Sequence, residues 1–361
     1  MKKEKYRYNK YEEDQLIYDP EEINIATREP TIEQLLRRVN EGALDLAPDF
    51  QRHANIWKEE VKSRLIESII IRIPLPAFYI DATYEDKWLV VDGLQRLFAL
   101  KQFVTDKELK LCGLEYLINL NGKTFDELTP TYQRRILETQ VTVSLIQKGT
   151  PPEVKFNIFK RINTGGEPLS PQELRHALNP GKAPKFLAEL AESQEFVRVI
   201  DLSRFRKMRM EDREFILGFL AFSLTSYDNY KNVSRNSFLN GALKKINDLP
   251  EPDIIRLESK FKKAMNLAWE IFGKKAFRKL SKANERSYPP NKALFEAWSV
   301  SLSNLSDQEM VELRNRKEKL IDKFRDRIDN DGAFRQSISQ ASDKVECRFR
   351  TIEELIREVL L

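Results

Sequence analysis

Cysteine and histidine are nearly absent from this chain. Its 361 residues include two cysteines, Cys112 and Cys347, and two histidines, His53 and His176. Two cysteines cannot build a disulfide scaffold or a cysteine-rich zinc site, and they suit a reducing compartment. Two histidines exclude a histidine-rich metal centre and argue against a metal nuclease of the His-Asn-His type. His176 lacks a second His or Cys at ligand spacing. His53 is a lone loop histidine, of the kind more often solvated than acting as a proton carrier. No apolar run approaches the ~20 residues that span a bilayer. The opening Met1-Lys2-Lys3-Glu4-Lys5 has no apolar stretch behind it, so no signal peptide is expected and a cytoplasmic location is. Excess charge is also scarce: 61 basic residues against 56 acidic ones give a net +5, so any field for a polyanion must come from local clustering.

What is present is enough apolar material for a core, 41% hydrophobic against 32% charged residues, in a length suited to two domains. Residues 1–29 are charged and tyrosine-dotted and read as an arm. Thr31 and Gln34 form a capping-box pair ahead of a helical stripe, Ile32, Leu35, Leu36 and Val39, which Gly42 ends. A second helix runs from about Lys58 to Ile70 and stops before Pro74 and Pro76. Phe78-Tyr79-Ile80 and Trp88-Leu89-Val90-Val91 flank a polar turn and read as a hairpin. Asp92-Gly93 halts the second strand, and a helical pattern follows through Leu97, Phe98, Leu100 and Val104. Tyr116, Ile118 and Leu120 alternate before Asn121-Gly122, a hairpin signal. Thr139–Ile146 is a further strand candidate, and 149–152 reads as a linker. Beyond it the chain is almost wholly helical, with helical spacing over Ile254–Phe272, Asn291–Leu305, Asp307–Arg327 and Val345–Leu360. The expected fold class is therefore α+β: an arm over 1–29, an α/β domain over 30–150 and a mainly helical domain over 151–361.

Four segments can carry chemistry. At Asp92-Gly93 the glycine lets a ligand approach the backbone, and the following helix start offers free amides and a positive dipole end to a phosphate. Arg96 can pair bidentately with that phosphate, and Asp92 can hold magnesium. The bland alternative is a tight turn with a surface arginine. Pro48-Asp49-Phe50-Gln51-Arg52 lies in a loop between two helices, where a core Phe50 with a rim arginine is the simpler reading. Arg161-Ile162-Asn163-Thr164-Gly165-Gly166 ends a helix in a glycine loop, which leaves Asn163 and Thr164 for a polar ligand. Ser170, Pro171 and Glu173 then restart a helix as a capping box. Arg204-Phe205-Arg206-Lys207-Met208-Arg209 can contact nucleic-acid phosphates; the simpler reading is a solvated helix start with snorkelling arginine stems.

The order of these segments matters more than any one of them. Phe50-Gln51-Arg52, Arg64-Leu65-Ile66-Glu67-Ser68-Ile69, Ile73-Pro74-Leu75-Pro76, Val91-Asp92-Gly93-Leu94-Gln95-Arg96-Leu97 and Phe159–Gly166 together resemble the N-terminal domain of GmrSD-type restriction systems. That family is related to the ParB/sulfiredoxin fold. The resemblance is close over about 30–180 and loose beyond. It implies a ParB-like domain in which Gly93, Arg96 and Ala99 match a phosphate-cradling Gly-x-x-Arg-x-x-Ala pattern, and Gln51-Arg52 match the Gln-x-Arg loop that fronts it. It also implies nucleoside triphosphate hydrolysis in a setting of defence against phage or modified DNA. Two departures stand out. Leu94 replaces the first Gln of the family's Asp-Gly-Gln-Gln-Arg, and a leucine can neither bind a phosphate nor orient a water. The other is that these 361 residues, with two histidines, offer neither the room nor the ligands expected of the family's usual C-terminal His-Asn-His nuclease domain.

The resulting expectation is a nucleotide-binding protein, an NTPase with magnesium as cofactor, in a restriction-type system. Asp92, Gln95 and Arg96 are the catalytic candidates, with Asp92 also the metal ligand. Gln51, Arg52, Gly93, Leu94, Asn163, Thr164 and Gly165 are the nucleotide contacts. Arg204, Arg206, Lys207 and Arg209 are the nucleic-acid contacts. The expected partners are a nucleotide, DNA and a partner nuclease or defence protein, with self-association left open and no membrane. The rival readings are a DNA-binding module without hydrolysis and a direct endonuclease that uses Asp49, Asp92 and magnesium.

Overall fold

The computed structural model describes residues 23–46, 57–162, 170–230, 233–282, 288–339 and 344–361. They fall into two compact units that divide between Leu169 and Ser170. The first is α+β and the second helical, so the fold class is as the sequence indicates.

The first unit is built on a five-stranded mixed sheet in the order β1-β5-β3-β4-β2. Its strands are β1 (Ile25–Arg28), β2 (Leu44–Asp45), β3 (Phe78–Ala82), β4 (Trp88–Asp92) and β5 (Val143–Gln147). The expected hairpin is present, with β3 antiparallel to β4, while β3 runs parallel to β5. Phe78, Ile80, Val90, Val143 and Leu145 face a buried core shared with α1 (Ile32–Asn40) and α2 (Glu59–Ile70), which supply Ile32, Leu35, Leu36, Ile66, Ile69 and Ile70. The capping box at α1 forms as its sequence requires. Gln34 N donates to Thr31 Oγ1 at 3.2 Å and Thr31 N donates to Gln34 Oε1 at 3.0 Å.

Three expectations for this unit are corrected. Residues 25–28 leave the expected arm and pair with β5, from Ile25 opposite Ile146 to Arg28 opposite Val143. The segment before Asn121-Gly122 is not a strand: Ile118–Leu120 is a short 3-10 turn. The buried Glu67 carboxylate takes the backbone amides of Glu115, Tyr116 and Leu117 at 3.0, 2.7 and 2.7 Å, and those donors are then lost to any ladder. Gly122 does turn the chain, at φ +83°, but it closes a wide loop in which Leu111 and Lys123 pair through their backbones. Last, the expected linker ends early. α5 (Pro152–Ile162) begins at Pro152, and Lys155 reaches Asp81 of β3, so this helix belongs to the sheet unit and not to the helical one.

Between β4 and β5 along the chain come α3 (Leu94–Leu100), which continues as a π-helical turn over Lys101–Thr105, and α4 (Pro130–Glu138). The second unit opens with α6 (Pro171–Leu178), whose Ser170–Glu173 capping box is formed. Its core runs through α7 (Lys182–Glu192), α8 (Gln194–Val199), α10 (Glu211–Leu224), α11 (Arg235–Asp248), α12 (Glu251–Phe272), α13 (Lys292–Ser303) and α17 (Val345–Leu360). The expected single helix over Asp307–Arg327 is two, α14 (Asp307–Asn315) and α15 (Lys317–Asn330). Arg316 breaks it, with its guanidinium drawn to the carbonyls of Val359 and Leu360 at 2.6 and 3.1 Å. The short helices α9 (Arg204–Met208) and α16 (Gly332–Ser337) complete the unit's described α-helices.

Candidate functional site

β4 hands over to α3 through a single residue. Asp92 ends the strand, and Gly93 adopts φ +98°, ψ 7° as the residue that caps α3. A side chain there would meet the Phe78 ring, so the turn requires glycine for space as well as for its left-handed backbone. The first-turn amides of Leu94, Gln95 and Arg96 have no acceptor within the helix, which is the local chemistry of an anion cradle.

Arg96 departs from the sequence reading. Its side chain does not extend outward toward a phosphate. The residue is 8% exposed, and its guanidinium turns in. It donates to the carbonyl of Pro76, to that of Ala77 at 3.0 Å and to Asp92 Oδ2 at 2.9 Å, and lies 4.3 Å above the Phe78 ring. The planar fork satisfies two carbonyls of the proline-containing approach to β3 and one carboxylate at once, which a point-charged lysine cannot do. Burial lowers the Arg96 pKa, and Asp92 opposes that fall. Burial raises the Asp92 pKa, opposed by Arg96 and by the Gly93 amide. Asp92 and Arg96 therefore brace each other and the corner. A carboxylate has about four acceptor positions, so Asp92 retains capacity for a further donor or a cation. Leu94 packs half-buried against the core of the first unit, and Gln95 is half-buried.

Gln51, Arg52, Asn163, Thr164 and Gly165, with Asp49 and His53, lie outside the described residues. The basic segment is brought together, but not as a free patch. Arg206 is held by Glu211, its Nη2 2.6 Å from Oε1, and Arg209 by Glu173 at 3.3 Å, while Arg204 and Lys207 stay exposed. Two of the four expected phosphate contacts thus already have carboxylate partners. His176 sits 3.2 Å from Arg213 through Nδ1. Among the described residues no group of three or more His, Cys, Asp or Glu is arranged to hold a metal ion.

Some important residues were not singled out from the sequence. Glu67 orders the loop over 115–117, as above. Lys155, a buried residue of α5, places Nζ 3.3 and 3.4 Å from the Asp81 carboxylate and also donates to Thr83 Oγ1. Neither could be read from spacing, because each partner lies tens of residues away in sequence.

Residues 32–179 match the family model for the GmrSD restriction endonuclease, N-terminal domain. Over this stretch the chain is similar to that domain. The match covers the capped α1, the hairpin, the Asp92-Gly93 corner and α5, and ends just after α6. No curated protein matches the chain. No solved structure matches it either. Among the described residues no helix is long and apolar enough to cross a membrane.

Proposed function

We propose that the GmrSD-type domain of this restriction-system component binds a nucleoside triphosphate with magnesium at the Asp92-Gly93 corner. The amides at the start of α3 receive the phosphates, and Asp92 carries the cation. Gln51-Arg52 and Asn163-Thr164-Gly165 are the loop contacts of this reading. Arg96 is a positioning residue here: it fixes Asp92 and the approach to β3 and does not touch the nucleotide. Gln95 is the residue at the corner with the chemistry to orient an attacking water, and hydrolysis depends on it since Leu94 cannot act. The observation that carries the reading is Gly93 at φ +98°, set between a strand-terminal carboxylate and a helix start, inside the matched domain. DNA and a partner effector are the outputs expected from such a system.

Calorimetry with each of the four NTPs, with and without magnesium, tests binding, and phosphate release tests hydrolysis. Magnesium-dependent affinity that falls at least tenfold in Asp92→Asn supports the site. Absence of binding by all four, or equal affinity in the variant, rejects it. Binding with no phosphate release in either protein keeps the nucleotide site and rejects the NTPase.

A further inference from the structure

An open concavity of about 820 Å³ lies on the α1 side of the sheet in the first unit, lined by residues of α1, β1, β3, β4 and β5. That volume is within the range of about 300–1,000 Å³ typical of ligand sites. It is not at the Asp92 corner. Its β4 residue is Trp88, at the opposite end of that strand, about 13 Å away at ~3.3 Å per residue.

The lining has a distinct chemistry. Arg37 and Arg38 come from α1, Arg28 from the end of β1 and Lys148 from just past β5; the facing carboxylates are Glu29 and Glu85. Cations therefore outnumber anions four to two on this surface. Arg28 and Lys148 are exposed, and neither has an ion-pair partner among the described residues. Arg38 lies with its Cζ 4.1 Å over the Trp88 ring, which makes a flat guanidinium–indole shelf in the wall. Asn24, Gln34 and Gln147 add amides able both to donate and to accept. Spread cations around a stacking platform suit a phosphodiester or phosphate chain that carries a planar base.

We propose that this groove binds a nucleotide unit, its base continuing the Arg38–Trp88 stack and its phosphates meeting Arg28, Arg37 and Lys148. The unit comes either from a nucleic-acid strand or from free nucleotide. The site goes beyond the Asp92 reading and stands or falls separately from it.

The test uses the full chain, a short fluorescein-labelled oligothymidylate and fluorescence anisotropy over a series of KCl concentrations, with each unlabelled NTP as competitor. Arg38→Ala is expected to weaken binding roughly tenfold, the worth of one stacked base. Arg28→Glu with Lys148→Glu is expected to lower the slope of log affinity against log salt by about 1.4, at about 0.7 per lost phosphate contact. Arg28 and Lys148 are exposed and Arg38 is half-buried, so circular dichroism and melting are recorded for each variant, and their being unchanged identifies an effect on binding and not on folding. Asp92→Asn should leave strand affinity as it is, whereas the Asp92 reading fails or holds on magnesium-dependent NTP affinity alone. Strand binding that NTPs do not displace, but that the groove variants weaken, supports a strand as the source. Displacement by NTPs whose own affinity drops in Arg38→Ala supports free nucleotide. Wild-type protein that binds neither probe, or groove variants that bind both as tightly as wild type, overturns the proposal.

Discussion

Replacing Glu67 with glutamine tests how one carboxylate organises a loop distant in sequence. Glu67 is 3% exposed and accepts the amides of Tyr116 and Leu117 on Oε1, both at 2.7 Å, and that of Glu115 on Oε2 at 3.0 Å. Hydrogen bonds to a charged group contribute about 1.5–3 kcal/mol each. Glutamine keeps one oxygen, so two bonds survive as weaker neutral ones. Its amide nitrogen, placed where Oε2 was, is a donor facing the donor of Glu115 and leaves that buried amide unpaired, at about 1–3 kcal/mol. The expected cost of Glu67→Gln is about 2–4 kcal/mol, roughly a thirty- to thousandfold loss of protection. Hydrogen exchange of peptides over 114–120 reads this directly, without assuming that both units unfold together. The effect also carries a pH signature. The three amides and Arg64 hold the Glu67 pKa below its ordinary 4.5 against the cost of burial. A depressed carboxylate stabilises fully above its unfolded value and loses that contribution as pH falls through the folded one. The gap between wild type and variant should thus be widest near neutral pH and shrink below about 4.5. A change in protection under fivefold at pH 7, or a gap that widens in acid, would refute the reasoning.

Other outcomes follow from the same kind of accounting. Gly93→Ala combines a left-handed backbone with a Cβ against the Phe78 ring, so urea unfolding of the first unit should show a loss of about 2–4 kcal/mol. Arg96→Lys keeps the charge but not the fork, and should cost about 1–3 kcal/mol of stability, read as a lowered thermal midpoint, because lysine cannot serve Pro76, Ala77 and Asp92 together. In the second unit, Glu296 is buried between Arg235 and Arg348, its Oε2 2.9 Å from Arg348 Nη2. Glu296→Gln leaves two buried guanidinium groups short of their counter-charge and should cost about 3–5 kcal/mol by chemical denaturation. A loss below about 1 kcal/mol would show that the site relaxes or admits water.

The local sequence was enough for features whose partners lie within a turn or two. The Thr31–Gln34 and Ser170–Glu173 capping boxes, the stop before Pro74, the β3–β4 hairpin and the Asp92-Gly93 handover to α3 depend on neighbours along the chain, and they form as the pattern requires. The glycine at 93 could be singled out, because it stands between a strand pattern and a helix pattern, where the lack of a side chain allows a tight turn and a close approach to the backbone. Tertiary structure decided the rest. Asp92-Gly93-Leu94-Gln95-Arg96 reads the same whether the guanidinium reaches out to a phosphate or in to the protein. The inward course is set by the Pro76 and Ala77 carbonyls, nearly twenty residues earlier, which need a donor in the interior. Arg206 and Arg209 looked like a basic patch until Glu211 and Glu173 came within reach. Glu67 turned an expected strand into a carboxylate-bound loop in the same way. Along the chain a charged side chain shows only its capacity to pair, while its actual partner is fixed by which donors and acceptors the fold buries beside it.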